Sequence, residues 1–485
     1  MSNVPENIKK IDDYTWEIPT SFKDGMNVPA RIIASQNLMK GMDKGVFDQV
    51  TNVVCLPGIQ KYAYCMPDGH WGYGFPIGGV AAFDINEGII SPGGIGFDIN
   101  CGMRLIRTNL LWSDVQPKLK ELIDTFFKIV PAGVGCKGFV NVNKSQFNDV
   151  MTDGVKWCVD NGYGWKEDIE RCEGYGKIEW ADPKQVSDKA IKRGINQLGT
   201  LGSGNHYLEV QVAHKENIYD FETAKAFGIE PEQVVVMVHC GSRGFGHQIA
   251  TDHLKSFNEA MKKYGIVVRD RELSCAPFNS NEGQSYYKAM ACAANMAFAN
   301  RQVILHRIRE GFEKVFNSKA EDLGLNLVYD VAHNVAKVEK HNVNGKLKDV
   351  VVHRKGSTRA FGPGNPELPV SYRKYGQPVI LGGSMETGSY LLAGTQVAMD
   401  KTFGSTAHGS GRTKSRMQAK KENRGEELQK KMLKEGIYVK AVSMSGLAEE
   451  AGSAYKDIDE VVETLDNSGI TKPIIKLIPK GNVKG

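Results

Sequence analysis

Val234-Val-Val-Met-Val-His239-Cys-Gly-Ser-Arg243-Gly joins an unbroken apolar run to an imidazole, a thiol and a glycine turn. The β-branched run predicts a buried strand over 234–238 that ends at His239. A side chain at the end of such a strand, beside a tight turn, is well placed to serve a site. Five other segments repeat the pattern of glycine beside a chemically capable side chain. They are Gly-Phe-Asp98-Ile-Asn-Cys101-Gly, Gly-Ser-Gly-Asn205-His206, Asp330-Val-Ala-His333-Asn334, Gly382-Gly-Ser-Met385 and Ala-His408-Gly-Ser-Gly411. Carboxylate, thiolate and imidazole bind transition metals. Glycine lets backbone approach a phosphate closely. The pattern points to an enzyme that handles phosphate esters with bound metal.

These residues run from position 98 to 408 and must converge if they act together. That favours one intertwined mixed α/β domain over 1–485, with no linker, repeat or change in composition to divide it. Further strands are expected over 77–83, 88–95, 325–331 and 348–353. A long core helix is expected over 284–316. A shorter helix is expected over 113–129 with Ser113 as its N-cap, and a basic, solvated one over 412–435. Residues 1–50 read as short extended stretches between polar turns, and 130–200 as helices and surface loops.

Composition narrows the class. Glycine is 53 of 485 residues, about 11% against a typical value of about 7%. The net charge of +5 permits a polyanionic partner without demanding one. The nine cysteines lack paired CxxC spacing, which points to a reducing, cytoplasmic setting without a disulfide framework. There is no N-terminal signal segment and no apolar run of about 18 residues, so no membrane span is expected.

The candidate residues carry competing readings. A buried free cysteine is usually a small apolar side chain. With Asp98, His206, His239 and His333, however, Cys101 reads as a thiolate shared by two metal sites. Sulfur and imidazole suit zinc, and manganese stays open. Of the eleven histidines, His214, His253, His306 and His341 read as structural. His70 lines a pocket or caps a turn. His247 reads as structural or as a substrate contact, and His353 as a phosphate contact. His408, between small residues, is either a nucleophile toward phosphorus or a hydrogen-bonding loop residue. Arg243, Arg354, Lys355, Arg359 and Arg412 are candidates for an RNA or phosphate backbone. Gly382-Gly-Ser384-Met385 with Ser389 reads as a phosphate- or base-holding turn, distinct from a Walker A motif.

Met66-Pro-Asp-Gly-His, Ser91-Pro-Gly-Gly-Ile-Gly-Phe-Asp-Ile-Asn-Cys-Gly, Gly202-Ser-Gly-Asn-His, His239-Cys-Gly-Ser-Arg-Gly, Asp330-Val-Ala-His-Asn and His353-Arg-Lys-Gly together resemble the RtcB family of RNA-splicing ligases, along the whole chain. The resemblance implies a GTP- and manganese-dependent ligase acting in tRNA splicing and RNA repair. Such an enzyme joins an RNA 3′-phosphate or 2′,3′-cyclic phosphate to a 5′-hydroxyl. It implies two Mn2+ sharing Cys101, with Asp98 and His206 completing one site and His239 and His333 the other. The guanylylated histidine falls on His408. The nucleotide pocket maps onto Asn205, His206, Tyr207, Leu208, Glu209, His333, Asn334, Gly382, Gly383, Ser384, Met385, Ser389, His408, Gly409, Ser410, Gly411, Tyr455 and Lys484. Arg243 and Arg412 are the expected RNA contacts. A monomer and an archease-type activator are further expectations. The alternative is a binuclear metallophosphoesterase, with the same ligands, water as nucleophile and no covalent nucleotide. A non-enzymatic RNA-binding subunit is disfavoured by the modest charge and the lack of an RRM, KH or OB signature.

Overall fold

In the computed structural model, which describes residues 4–485, two twisted sheets carry the chain. The first runs in the spatial order Lys9–Lys10, Thr15–Ile18, Ala30–Ile33, Ile59–His70, Ile77–Asp84, Lys346–Lys355 and Asn334–Val343. The second runs Asn326–Ala332, Gly102–Leu111, Gln233–Cys240, Tyr207–Ala213, Thr471–Lys484, Ser389–Gly394 and Pro378–Leu381, with Tyr438–Ala441 joining beside Thr471–Lys484. Pairing is antiparallel except for Ala30–Ile33 on Ile59–His70 and Tyr438–Ala441 on Thr471–Lys484.

The strand Gln233–Cys240 shows why an unbroken apolar run is needed here. Val234, Val236 and Val238 pack on one face with Phe298, Ile304 and Ile308 of the long helix Asn281–Phe316. Val235 and Met237 pack on the other face with Leu105, Tyr329 and Leu477. Successive side chains point to opposite faces, so a strand covered on both sides is apolar at every position. The helix spans 36 residues, about 54 Å at 1.5 Å per residue. Ser280 caps it, its hydroxyl accepting from the Gly283 N–H.

Several local expectations are corrected. Ser113 is not a cap; the helical turn starts at Trp112, where the Asp114 carboxylate accepts from the Leu111 N–H. Pro117 lies in a 3-10 turn, Gln116–Lys118, before the helix resumes at Leu119–Ile129. The basic segment 412–435 is two helices, Arg416–Glu422 and Gly425–Lys434. Over 88–95 only Ile89–Ile90 pairs as a strand, against Ala276–Pro277, because Pro92 opens a 3-10 turn. Residues 36–40 and 44–53, read as extended or turn, are helical.

The chain passes directly from the second sheet to the first at one residue. Ala332 ends a strand of the second sheet, Asn334 begins a strand of the first, and His333 lies between them.

Candidate metal and nucleotide site

Neighbouring strand ends bring the metal-type side chains together. Gly102, just after Cys101, pairs with both Cys240 and Ala332, and Tyr207, just after His206, pairs with His239. Cys101 Sγ lies 3.3 Å from His206 Nε2 and 3.2 Å from His239 Nε2. His239 Nε2 lies 3.2 Å from His333 Nε2, and His206 Nε2 lies 2.9 Å from Asp98 Oδ2. Two donor sets with Cys101 in common result: Asp98, Cys101 and His206, and Cys101, His239 and His333.

The surroundings suit these groups to cations. His239 Nδ1 faces the Asn205 carbonyl oxygen at 3.0 Å, and His206 Nδ1 faces that of Leu201 at 3.1 Å. The His239 Nδ1–H donating to the Asn205 carbonyl leaves the His239 Nε2 lone pair directed at the thiol and at His333, while His206 Nε2 faces the thiol and Asp98. Lone pairs held this close repel unless a cation lies among them, so the donor set fits the metal centre implied by the resemblance. Burial holds the His206 imidazole below its ordinary pKa, and burial plus neighbouring imidazoles hold His239 and His333 well below it. All three are therefore neutral at neutral pH, as ligands must be. Burial and the adjacent Asp98 raise the Cys101 thiol well above its usual value. A bound cation would reverse that direction. Burial pushes the Asp98 carboxyl upward, but His206 and Arg243 overcome it, and the net shift is downward.

The frame behind the donor groups is polar and buried. Arg301 donates to the carbonyl oxygens of Asn100 at 2.7 Å and Cys240 at 2.9 Å, tying the segments that carry Cys101 and His239. Its charge is met by Asp330 at 2.8 Å, which also pairs with Arg104 at 2.6 Å. Removing one member of such a buried set costs about 3–5 kcal/mol. Gly241 leaves room for Asp98, since a Cβ there would lie 2.3 Å from Oδ1.

His408 stands against this centre, its ring centroid 4.9 Å from that of His333. It follows the short strand Ser405–Ala407 and is held by Asp68 of the strand Ile59–His70. Asp68 Oδ2 accepts from His408 Nδ1 at 2.6 Å and from the His408 backbone N–H at 3.0 Å. Burial pushes the Asp68 carboxyl upward, yet His408 draws it below its ordinary range. The carboxylate thus holds the proton on Nδ1 and leaves Nε2 free. Residue-type reasoning missed this partner, although it lies inside Met66-Pro-Asp-Gly-His.

A cavity of about 250 Å³ opens over these groups. Asp98, Cys101, Asn205, Tyr207, His239, His333, Asn334 and His408 line it. So do Gly382 to Met385, Gly409 to Gly411, Arg412, Tyr455 and Lys484. Ser389 supports the turn from behind, its hydroxyl accepting from the Gly383 N–H at 3.2 Å. Leu208 packs in the core, and the buried Glu209 accepts from Gln211 and Asn482. At the far end Arg412 donates to Tyr455 and Glu450, each at 3.1 Å, and Lys484 Nζ lies 3.7 Å from Glu450. Glu450 was not anticipated from the sequence.

The basic candidates divide. Arg243 Nη1 lies 2.9 Å from His206 Nδ1, in a gap that exists because residue 202 is glycine. Arg354, Lys355 and Arg359 are interior residues and not phosphate contacts. Arg354 pairs with Glu339 at 2.6 Å, Lys355 donates to the Phe75 and Gly93 carbonyls, and Arg359 pairs with Glu367 at 2.6 Å. His353 is also interior, between Phe75 and Phe83, its Nε2 accepting from the Ser91 N–H. His70 borders the cavity and His247 stacks on Phe97. His214 and His341 pair with Glu232 and Glu339, His306 stacks on Phe139, and His253 packs on Tyr286.

A family model described as tRNA-splicing ligase RtcB matches residues 49–485, and the chain belongs to that family. Three curated relatives called tRNA-splicing ligase RtcB are similar over nearly their whole length. The relative from Methanococcus maripaludis is 55% identical over 99% of both chains, and that from Thermococcus kodakarensis 55% over 99% of both. The relative from Archaeoglobus fulgidus is 53% identical over all of both chains. Among the described residues no helix is long and apolar enough to cross a membrane.

Proposed function

We propose that this chain is an RNA ligase that joins a 3′-phosphate or 2′,3′-cyclic phosphate end to a 5′-hydroxyl end, using GTP, in tRNA splicing and RNA repair. The observation that carries the reading is Asp68 on His408 Nδ1, beside two donor sets that share Cys101. A nitrogen left free and lining the cavity suits a nucleophile toward phosphorus, whereas in a phosphoesterase the same imidazole would serve water as general acid or base, and covalent label from GTP separates the two.

Joining a 3′-phosphate to a hydroxyl requires a good leaving group. His408 Nε2 attacks the α-phosphorus of GTP, a phosphoramidate forms and pyrophosphate leaves. Asp68 keeps the Nδ1 proton in place and stabilises the positive charge that develops on the ring. The RNA 3′-phosphate then takes GMP from His408. Finally the 5′-hydroxyl attacks that phosphate, and GMP leaves as the new bond forms. Asp98, Cys101, His206, His239 and His333 would hold two divalent cations, Mn2+ by the family resemblance, which neutralise charge on phosphate oxygens when bound. Lys484 and the Gly382–Met385 turn border the nucleotide, and Arg243 and Arg412 face the RNA. Arg243 is held at His206 only while that Nδ1 accepts a hydrogen bond. With the Nδ1 proton in place the guanidinium is free to turn to a phosphate.

The test is incubation with GTP radiolabelled at the α-phosphate and Mn2+, followed by RNA carrying the two ends. The wild type should carry covalent label and ligate, and His408→Ala should do neither. Label that persists in His408→Ala, or ligation without GTP, would overturn the reading.

A further inference from the structure

Trp71 is 71% exposed, and the cavity chemistry described above does not use it. It follows the strand Ile59–His70, three positions beyond Asp68, so one segment carries both the His408 anchor and this indole. The ring lies flat on Gly45 at the start of the helix Lys44–Val53; a Cβ at Gly45 would meet Trp71 Cγ at 3.4 Å and Cδ1 at 3.6 Å. One face is therefore backed by a helix and the other is open.

A groove runs past this open face. It shares His70, Arg412 and Arg416 with the catalytic cavity and continues along Trp71, Lys44 and Lys414. Its walls carry four cationic residues and two acidic ones, Asp43 and Asp48, and Lys414 is also paired with Glu422. The Arg416 side chain is 58% exposed despite its pairing with Glu449. A flat aromatic surface beside spaced cations, continuous with a phosphate-handling cavity, matches the way single strands are held without regard to sequence. Every base has a π-face, so stacking suits an enzyme that must accept ends of differing sequence.

We propose that this groove holds the single-stranded RNA next to the reacting end, with one base stacked on Trp71 and the backbone along Lys44, Lys414 and Arg416. The proposal deepens the ligase reading and rests on it.

The test uses the full chain with Trp71→Ala and Trp71→Phe. Guanylylation by GTP without RNA should be unchanged in both, as should the melting temperature. Affinity for a short RNA with a 3′-phosphate, and for one with a 5′-hydroxyl, is measured by fluorescence polarisation without GTP. Trp71→Ala should bind one of them about 5- to 100-fold more weakly, as expected for loss of one stacked base. Trp71→Phe should recover most of that loss. An abasic nucleotide walked along the RNA should weaken wild-type binding at one position and leave Trp71→Ala unaffected there. A wild type that labels and ligates while Trp71→Ala binds equally well overturns this proposal alone. So does a loss in Trp71→Ala that no abasic position reproduces, which would mean that the indole shapes the groove instead of stacking on a base. A wild type that neither takes label nor binds RNA overturns the ligase reading and this proposal together.

Discussion

Asp68 and His408, 340 positions apart, are joined by a 2.6 Å hydrogen bond from His408 Nδ1 to Asp68 Oδ2. The same oxygen accepts the backbone N–H groups of His408 at 3.0 Å and Gly409 at 3.3 Å. One carboxylate oxygen thus sets the tautomer of the ring and the path of the loop that carries it.

Asp68→Asn tests the charge. The amide keeps the size of the side chain, and its oxygen can still accept the His408 Nδ1–H and the His408 and Gly409 backbone N–H groups, but the negative charge that stabilises the ring as it becomes cationic is lost. Self-guanylylation should slow by about 10³-fold or more, by analogy with the loss of an orienting carboxylate in a catalytic triad. Metal content should stay at the wild-type level. Measurement of label per chain against time, with metal analysis of the same sample, checks both.

Cys101→Ala tests the shared ligand. Its Sγ belongs to both donor sets, so its loss should lower metal content at both and not at one alone. Elemental analysis after gel filtration should find fewer than two ions per chain and no label from GTP. Two retained ions would show that the thiolate is not shared.

Arg243 and Gly202 should behave as a pair. A Cβ at Gly202 would lie 1.8 Å from the Arg243 guanidinium, so Gly202→Ala must displace it. Both Arg243→Ala and Gly202→Ala should reduce RNA joining by about 10-fold or more, the loss of a charge-assisted contact, with a smaller effect on guanylylation. Separate assays of the two steps check this. Equal loss in both steps would mean that Arg243 acts through His206 instead of on RNA.

His353 gives a pH dependence. Burial lowers its pKa from 6.5 to about 4. Above pH 6.5 the ring is neutral in both the folded and unfolded chain. As pH falls from 6.5 toward 4 the unfolded chain gains a proton that the fold refuses, so stability is lost across that window. By pH 4.5 the loss from this residue is about 2–3 kcal/mol. His353→Gln keeps an acceptor for the Ser91 N–H and should show a flatter decline. Urea denaturation of both proteins at pH 7 and pH 4.5 makes the comparison.

The donor cluster was legible because glycine turns and strand ends frame it: His239 and His333 end or follow apolar strands, and Cys101 and His206 immediately precede the strands Gly102–Leu111 and Tyr207–Ala213. His239 after Val234–Val238 is the clearest case. The role of Asp68 was not, because it depends on a contact across most of the chain and its neighbours give no periodic signal. Arg354, Lys355 and Arg359 misled for a related reason. Arg354 and Lys355 end the strand Lys346–Lys355 inside the first sheet, and Arg359 ends the short strand Ser357–Arg359; all three are buried, and Glu339, backbone carbonyls and Glu367 meet the charges. The break between the helices Arg416–Glu422 and Gly425–Lys434 was hidden by uniform polarity, since a solvated segment carries no apolar stripe to locate its turns.

The central claim is that Cys101 serves two cations beneath a histidine that accepts GMP. A crystal grown with Mn2+ and soaked in GTP, with anomalous data collected at the manganese edge, tests it most directly. The expected map has two peaks, one among Asp98, Cys101 and His206 and the other among Cys101, His239 and His333, with phosphorus density continuous with His408 Nε2. A single peak, or two peaks that leave Cys101 Sγ unbonded, or nucleotide density separate from His408, would contradict it.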